Sequence, residues 1–221
     1  VKFRRNKTDQ VEEIEDIQDS GATGTDETAG DTSFRADGPW DISEVELDPD
    51  DETKIGLGGL IVTGSPGVEL RLQVDEASQQ IAAVLLVGEE GAIELRPFAA
   101  SRNADIWDDI RKQIAAEAAR LGGTATEADG AYGKELQVMM NVTTPDGQSA
   151  QQPSRVLGIS GPRWLLRATL LGDAALDPDH DGELQTALRE VIVVRGEGAM
   201  APGDPLPLVM PENAEPVEPP S

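Results

Sequence analysis

Val68-Glu69-Leu70-Arg71-Leu72-Gln73-Val74-Asp75 alternates apolar and polar residues over eight positions, which predicts a strand with one wet face. Ile81 to Val87 follows as an unbroken apolar run, suited to a strand covered on both sides. Gly91 to Phe98 alternates again, with Ile93 and Leu95 inward. The connections Glu76–Gln80 and Gly88–Glu90 are short and polar, as hairpins require, so these strands read as an antiparallel meander.

Downstream the period changes. Ile106, Ile110, Ile114, Ala118 and Leu121 form one helical stripe, with Trp107 beside it. Asn103 is placed to cap this helix, Asp105, Asp108 and Asp109 complement its positive end, and Gly122-Gly123 stops it. Three more strands are predicted at 134–143, 155–160 and 163–171. A second helix is predicted from Gly182 to about Val194, with Asp181 as its cap, although the β-branched run at its end also fits a strand. The order βββ-α-βββ-α segregates strands from helices. It predicts an α+β fold: a mainly antiparallel sheet of about six strands with two helices packed on it.

The charge is uneven. The 221 residues carry 18 Lys+Arg and 42 Asp+Glu, a formal charge of −24. Residues 1–53 hold 5 bases against 17 acids, and residues 201–221 hold four acids and no base. Three regions follow. Residues 1–37 form an acidic head expected to be disordered, because it has too few large apolar groups to offset chain entropy. Residues 38–200 form a single α+β domain. Residues 201–221, with 7 of the 15 prolines, form a strap and tail that docks through Leu206, Leu208, Val209 and Met210.

Composition excludes much. With no Cys there is no disulfide, thiolate metal site or Cys nucleophile, and one His cannot build a His-rich centre. The net charge argues against nucleic acid and anionic lipid, even though Lys2, Arg4, Arg5 and Lys7 form a small basic cluster. No apolar run reaches the roughly 20 residues that span a bilayer, and no signal peptide is visible. A soluble cytoplasmic protein is expected, with no cofactor and no stable membrane insertion. The chain opens on Val1 without Met, as a start codon read literally as Val or a trimmed start would give.

GPWDISEV (38–45), Leu57-Gly58-Gly59-Leu60, VELRLQVD (68–75), IWDDIRKQI (106–114), DGAYGKEL (129–136), GPRWLLRATLLGDAA (161–175) and EGAMAPGDPLPLVMP (197–211) together resemble the actinobacterial DUF3710 family. The resemblance covers about Gly38 to Glu212. It implies a soluble bacterial protein with an acidic, variable head, and it carries over no catalytic residue. The Phe3-Arg4-Arg5 start is also similar to that family's, which favours the start-codon reading.

Four motifs bear on chemistry. Asp177, Asp179 and Asp181, before Gly182, match the first half of a calcium loop, but the twelfth position is Leu188 rather than an acid. A helix cap explains the acids, and any calcium affinity is expected to be weaker than ~1 mM. Gly158-Ile159-Ser160-Gly161 half-resembles a nucleophile elbow in the wrong context, with only His180 to serve as base. Gly56-Leu57-Gly58-Gly59 lacks the lysine of a phosphate loop. The fourth set is Arg163 and Arg167 on one predicted strand face, which Arg71 and Arg96 join if their strands are neighbours. These arginines either pair with Glu69, Glu94 or Glu135, or grip a carboxylate or phosphate on a partner. Trp164, on the opposite face, is expected in the core against the first helix or its neighbour.

The leading expectation is a non-enzymatic domain that binds another protein. The alternative is a regulatory domain for a small anion, at the arginine patch, or a metal, at the 177–182 loop. An enzyme built on paired carboxylates is third.

Overall fold

The computed structural model describes residues 35–101, 106–143, 146–177 and 182–211. The meander forms as read: β4 (Glu69–Val74), β5 (Ile81–Gly88) and β6 (Gly91–Ala99) are consecutive antiparallel neighbours. They belong to a seven-stranded sheet completed by β7 (Thr124–Gly130), β8 (Gly133–Thr143), β9 (Ser149–Gly161) and β10 (Trp164–Gly172). The spatial order is β4-β5-β6-β10-β9-β8-β7, antiparallel throughout. A second, four-stranded sheet joins β1 (Trp40–Asp41), β2 (Lys54–Gly56), β3 (Leu60–Thr63) and β11 (Ile192–Val193). The class is therefore α+β, with two sheets and two α-helices among the described residues, α1 (Trp107–Arg120) and α2 (Glu183–Arg189).

Three differences from the sequence reading have physical causes. β7 has only Ala125 and Ala128 as apolar residues and lies at the sheet's edge, where one strand partner suffices. β9 begins at Ser149 because Ser149 to Pro153 pair with Thr143 to Met139 of β8, which extends the ladder beyond any apolar signal. The second helix stops at Arg189, and the β-branched Ile192 and Val193 form β11 between β1 and β3.

The two faces of the large sheet are covered differently. On one, Val84, Leu86, Ile93, Leu95, Leu157, Ile159, Leu166, Ala168 and Leu170 pack with α2 and the small sheet into the main core. On the other, α1 lies on β7 and β8 and builds a smaller core from Trp107, Ala118, Leu136, Val138, Val156 and Leu165. Trp107 lies over Gly158, where a Cβ would come within 2.1 Å of the indole, and its Nε1 donates to the Lys134 carbonyl at 2.6 Å. Arg111 ties the helix to β7 through Glu127 at 2.7 Å. Leu121, read as part of the inward stripe, is 53% exposed. Asn103 and Asp105 lie outside the described residues.

Trp164 is fully buried but faces away from α1, which corrects the expected partner. Its Nε1 donates to Asp41 Oδ2 at 2.7 Å, and the Arg35 guanidinium lies 5.4 Å from its ring centroid. Gly161 makes room: a Cβ there would sit 2.1 Å from the indole. Arg35 also clamps Glu44 with two hydrogen bonds of 2.6 and 2.7 Å, and Glu44 accepts from the Asp41 N–H at 2.7 Å. Arg35 therefore packs on the body, three residues upstream of the boundary read at Gly38, while Ala36 and Asp37 are exposed.

The Arg35 hydrogen bonds hold the Glu44 carboxyl below its ordinary value. A folded value below the unfolded one means stability that is present above the unfolded pKa and lost as pH falls through the folded one. The Glu44→Gln variant is therefore expected to lose less stability than the wild type between pH 6 and pH 3. Denaturant midpoints measured at both pH values check this, and identical losses would show that the clamp does not titrate.

Candidate functional site

On the α1-side face, α1 lies mainly on β7 and β8 and reaches β10 only at its N-terminal end, where Trp107 covers Gly158, the β9 partner of Arg167, and shares the smaller core with Leu165 and Phe98. Along β6 and β10, Arg96 is the direct cross-strand partner of Arg167, and Glu94 that of Thr169. Side chains on opposed residues of one face lie about 4.5–5.5 Å apart at Cβ, and like charges there repel. Glu94 sits between the two arginines. Arg96 Nε donates to its Oε1 at 2.8 Å and Nη2 to its Oε2 at 3.3 Å, while Arg167 Nη2 reaches Oε1 only at 3.4 Å. Two guanidinium groups thus share one carboxylate.

Arg167 is the under-satisfied member. Its Nε is buried and has no acceptor; the only other such side-chain atom among the described residues is Arg35 Nε. Its guanidinium lies 5.7 Å from the Phe98 ring centroid. Burial, and secondarily the Arg96 charge, push its pKa down. Arginine nonetheless stays charged at neutral pH. The result is a partly desolvated cation with spare donor capacity on a face that also presents half-buried Leu85, Val87 and Leu171.

The other arginines named from sequence do not join this pair. Arg71 lies on the same face, on β4, but its guanidinium is held by Glu69 through two hydrogen bonds of 2.9 and 2.7 Å in the open. Arg163 is not on the strand: with φ of 62° it occupies the hairpin turn that joins β9 to β10. Its carbonyl accepts from Arg195 Nε at 3.1 Å and from the Ala100 N–H at 2.8 Å. Glu135, read as a surface acid, is buried on the opposite face against Arg155.

A groove of about 260 Å³ opens next to Arg96. The paired β5–β6 register runs from Gly88↔Gly91 to Val84↔Leu95. Beyond it the C-terminal strap takes over the edge of β6: Leu206 N–H donates to Pro97 O at 2.9 Å, and Ala99 N–H to Asp204 O at 2.8 Å. The groove lies where β5 and the strap part, with Arg96, Pro97 and Phe98 lining it beside Ser78 and Gln80. Leu206 anchors the strap at 2% exposure, whereas Val209 and Met210 are exposed. A smaller cavity of about 80 Å³ lies beside the buried Glu135–Arg155 pair, lined also by Tyr132 and Gln185. Burial pushes the Tyr132 hydroxyl pKa up.

Of the proposed metal ligands, Asp177 follows the short helical turn Asp173–Ala175, while Asp179 and Asp181, with His180, lie outside the described residues. No cluster of three or more metal-ligating side chains occurs among the described residues. Gly158 to Gly161 is continuous strand, with Ser160 exposed, so the strand-to-helix turn of a nucleophile elbow is absent there. No helix among the described residues is long and apolar enough to cross a membrane.

Comparisons with known proteins add the following. A family model described as "Protein of unknown function (DUF3710)" matches residues 38–216. No curated protein matches. Among solved structures, the chain is similar to the solution structure of cyanobacterial PsbP (CyanoP) from Synechocystis sp. PCC 6803. The TM-score is 0.35 at 8% identity, covering 67% of this chain and 98% of that one.

Proposed function

The chain belongs to the DUF3710 family, and we propose that it is a non-enzymatic interaction domain whose open sheet face grips an acidic, extended segment of another protein. One observation carries the reading: Arg96 and Arg167 stand opposite each other and share Glu94, leaving Arg167 Nε buried without an acceptor. A fold tuned only for stability has no use for like charges in register, and broken local rules of this kind mark functional positions. An incoming carboxylate would take a charge-assisted hydrogen bond from the guanidinium of Arg167, whose side chain is 21% exposed, and balance the two cations that share Glu94. Half-buried Leu85, Val87 and Leu171 favour apolar residues between the acids. We place the protein in the bacterial cytoplasm. The absence of Cys is compatible with that, and the net charge of −24 opposes nucleic acid as the partner.

The groove beside Arg96 favours a second reading, a small anion. Its 260 Å³ is just below the usual 300–1,000 Å³ of small-molecule pockets.

The test is a titration with a labelled peptide that alternates Val with Glu, beside its Gln counterpart. The Glu peptide is expected to bind at least ~10-fold more tightly, a difference of about 1.4 kcal/mol, and to lose that advantage in Arg96→Gln. Equal binding of the two peptides contradicts the reading. Inorganic phosphate that shifts the Arg96 and Arg167 resonances, with no peptide bound, establishes the small-anion site instead.

A further inference from the structure

We propose that the chain's own acidic head, through Val11-Glu12-Glu13-Ile14-Glu15-Asp16-Ile17, occupies this same face in cis and competes with the partner segment. The inference rests on the reading of the Arg96–Arg167 face as an acidic-peptide site. Three observations converge on it.

The first is charge. Residues 9–34 contain nine acids and no Lys or Arg, and four of those acids fall within 12–16. The face has three guanidinium groups, of Arg71, Arg96 and Arg167, for the two carboxylates of Glu69 and Glu94, and Arg96 and Arg167 share Glu94. The second is pattern. In an extended segment Glu12, Ile14 and Asp16 project to one side, an acid–apolar–acid triplet with a period of two. That matches a face where cations adjoin half-buried Leu85, Val87 and Leu171.

The third is the tether. The head joins the body at Arg35, which is held on Trp164 and Glu44. Trp164 lies three residues before Arg167 on β10, so the pinned end is about 10 Å along the strand and one sheet thickness, another ~10 Å, from the site. Residues 18–34, rich in Gly, Ser and Thr, form the connection. A Gly/Ser-rich coil of 17 residues has an r.m.s. span of about 20–25 Å, which matches the path around the Pro162-Arg163 hairpin. Matched length maximises effective concentration, which reaches the millimolar range for short tethers. Against a segment that binds with Kd of ~0.1 mM, a millimolar internal competitor weakens apparent affinity by about 10-fold.

The test uses the full chain throughout. One variant neutralises the segment (Glu12→Gln, Glu13→Gln, Glu15→Gln, Asp16→Asn). The other carries a nitroxide at Gln18→Cys, a unique attachment point because the chain has no Cys. The neutralised chain is expected to bind the Val/Glu peptide about 10-fold more tightly than the wild type. The nitroxide is expected to broaden amide signals at 94–98 and 165–169 at low salt, and to spare them in 0.5 M salt or when the four acids are neutralised. Equal peptide affinity in both chains, with no selective broadening, overturns the head as occupant and leaves the peptide site standing. Failure of the peptide on both chains, again without broadening, overturns the site itself and the head with it.

Discussion

Trp164→Ala is expected to lower the unfolding free energy by about 3–5 kcal/mol, the usual cost of deleting a buried tryptophan. The indole is fully buried and sits where the two sheets meet. Its removal leaves a cavity over Gly161 and takes from Asp41, itself only 5% exposed, a donor at 2.7 Å. Arg35 loses the ring it lies against. A domain of this size is stable by only ~5–15 kcal/mol, so the denaturant midpoint should fall by about a fifth or more. Trp164→Phe separates the causes: it keeps most of the apolar volume and loses the hydrogen bond, for about 1–2 kcal/mol. A normally stable Trp164→Ala protein would contradict the placement of this side chain at the junction of the sheets.

Glu135→Leu is expected to have a comparable effect for a different reason. Glu135 and Arg155 are 3% and 6% exposed and paired with each other, with Arg155 Nε also donating to the Ala175 carbonyl at 3.0 Å. Removing the carboxylate leaves a guanidinium in the interior without its counter-charge, which costs about 3–5 kcal/mol. Replacing both, as Glu135→Leu with Arg155→Met, should recover most of that loss, because an apolar pair of similar volume avoids the desolvation penalty. A double-mutant cycle on denaturant midpoints measures the coupling. Strictly additive losses would mean the two groups are solvated independently.

How far the sequence was legible depended on the range of the signal. β4 to β6 and α1 announce themselves because their periods are local. β1 and β11, two residues each, have no period to detect, and they exist because Trp40 and Asp41 pair in parallel with Ile192 and Val193. The Asp41–Trp164 hydrogen bond spans 123 positions, outside any sequence window. The arginines were visible as a set, but strand order and register sorted them. Arg96 meets Arg167 because β6 and β10 are neighbours, Arg71 is used by Glu69, and the hairpin takes Arg163 off the strand. The identity of Glu94 as the shared carboxylate, and the inward turn of Glu135, followed only from the register.

Arg167→Met tests the central claim most directly, because stability and binding should part company. Arg167 is poorly paired and partly desolvated, so an apolar side chain of similar length relieves a cost and leaves Glu94 to Arg96 alone. The expected result is a melting temperature equal to or above the wild type's, together with loss of Val/Glu peptide binding in the same protein. A lower melting temperature with peptide binding unchanged would contradict the account and make Arg167 a structural residue.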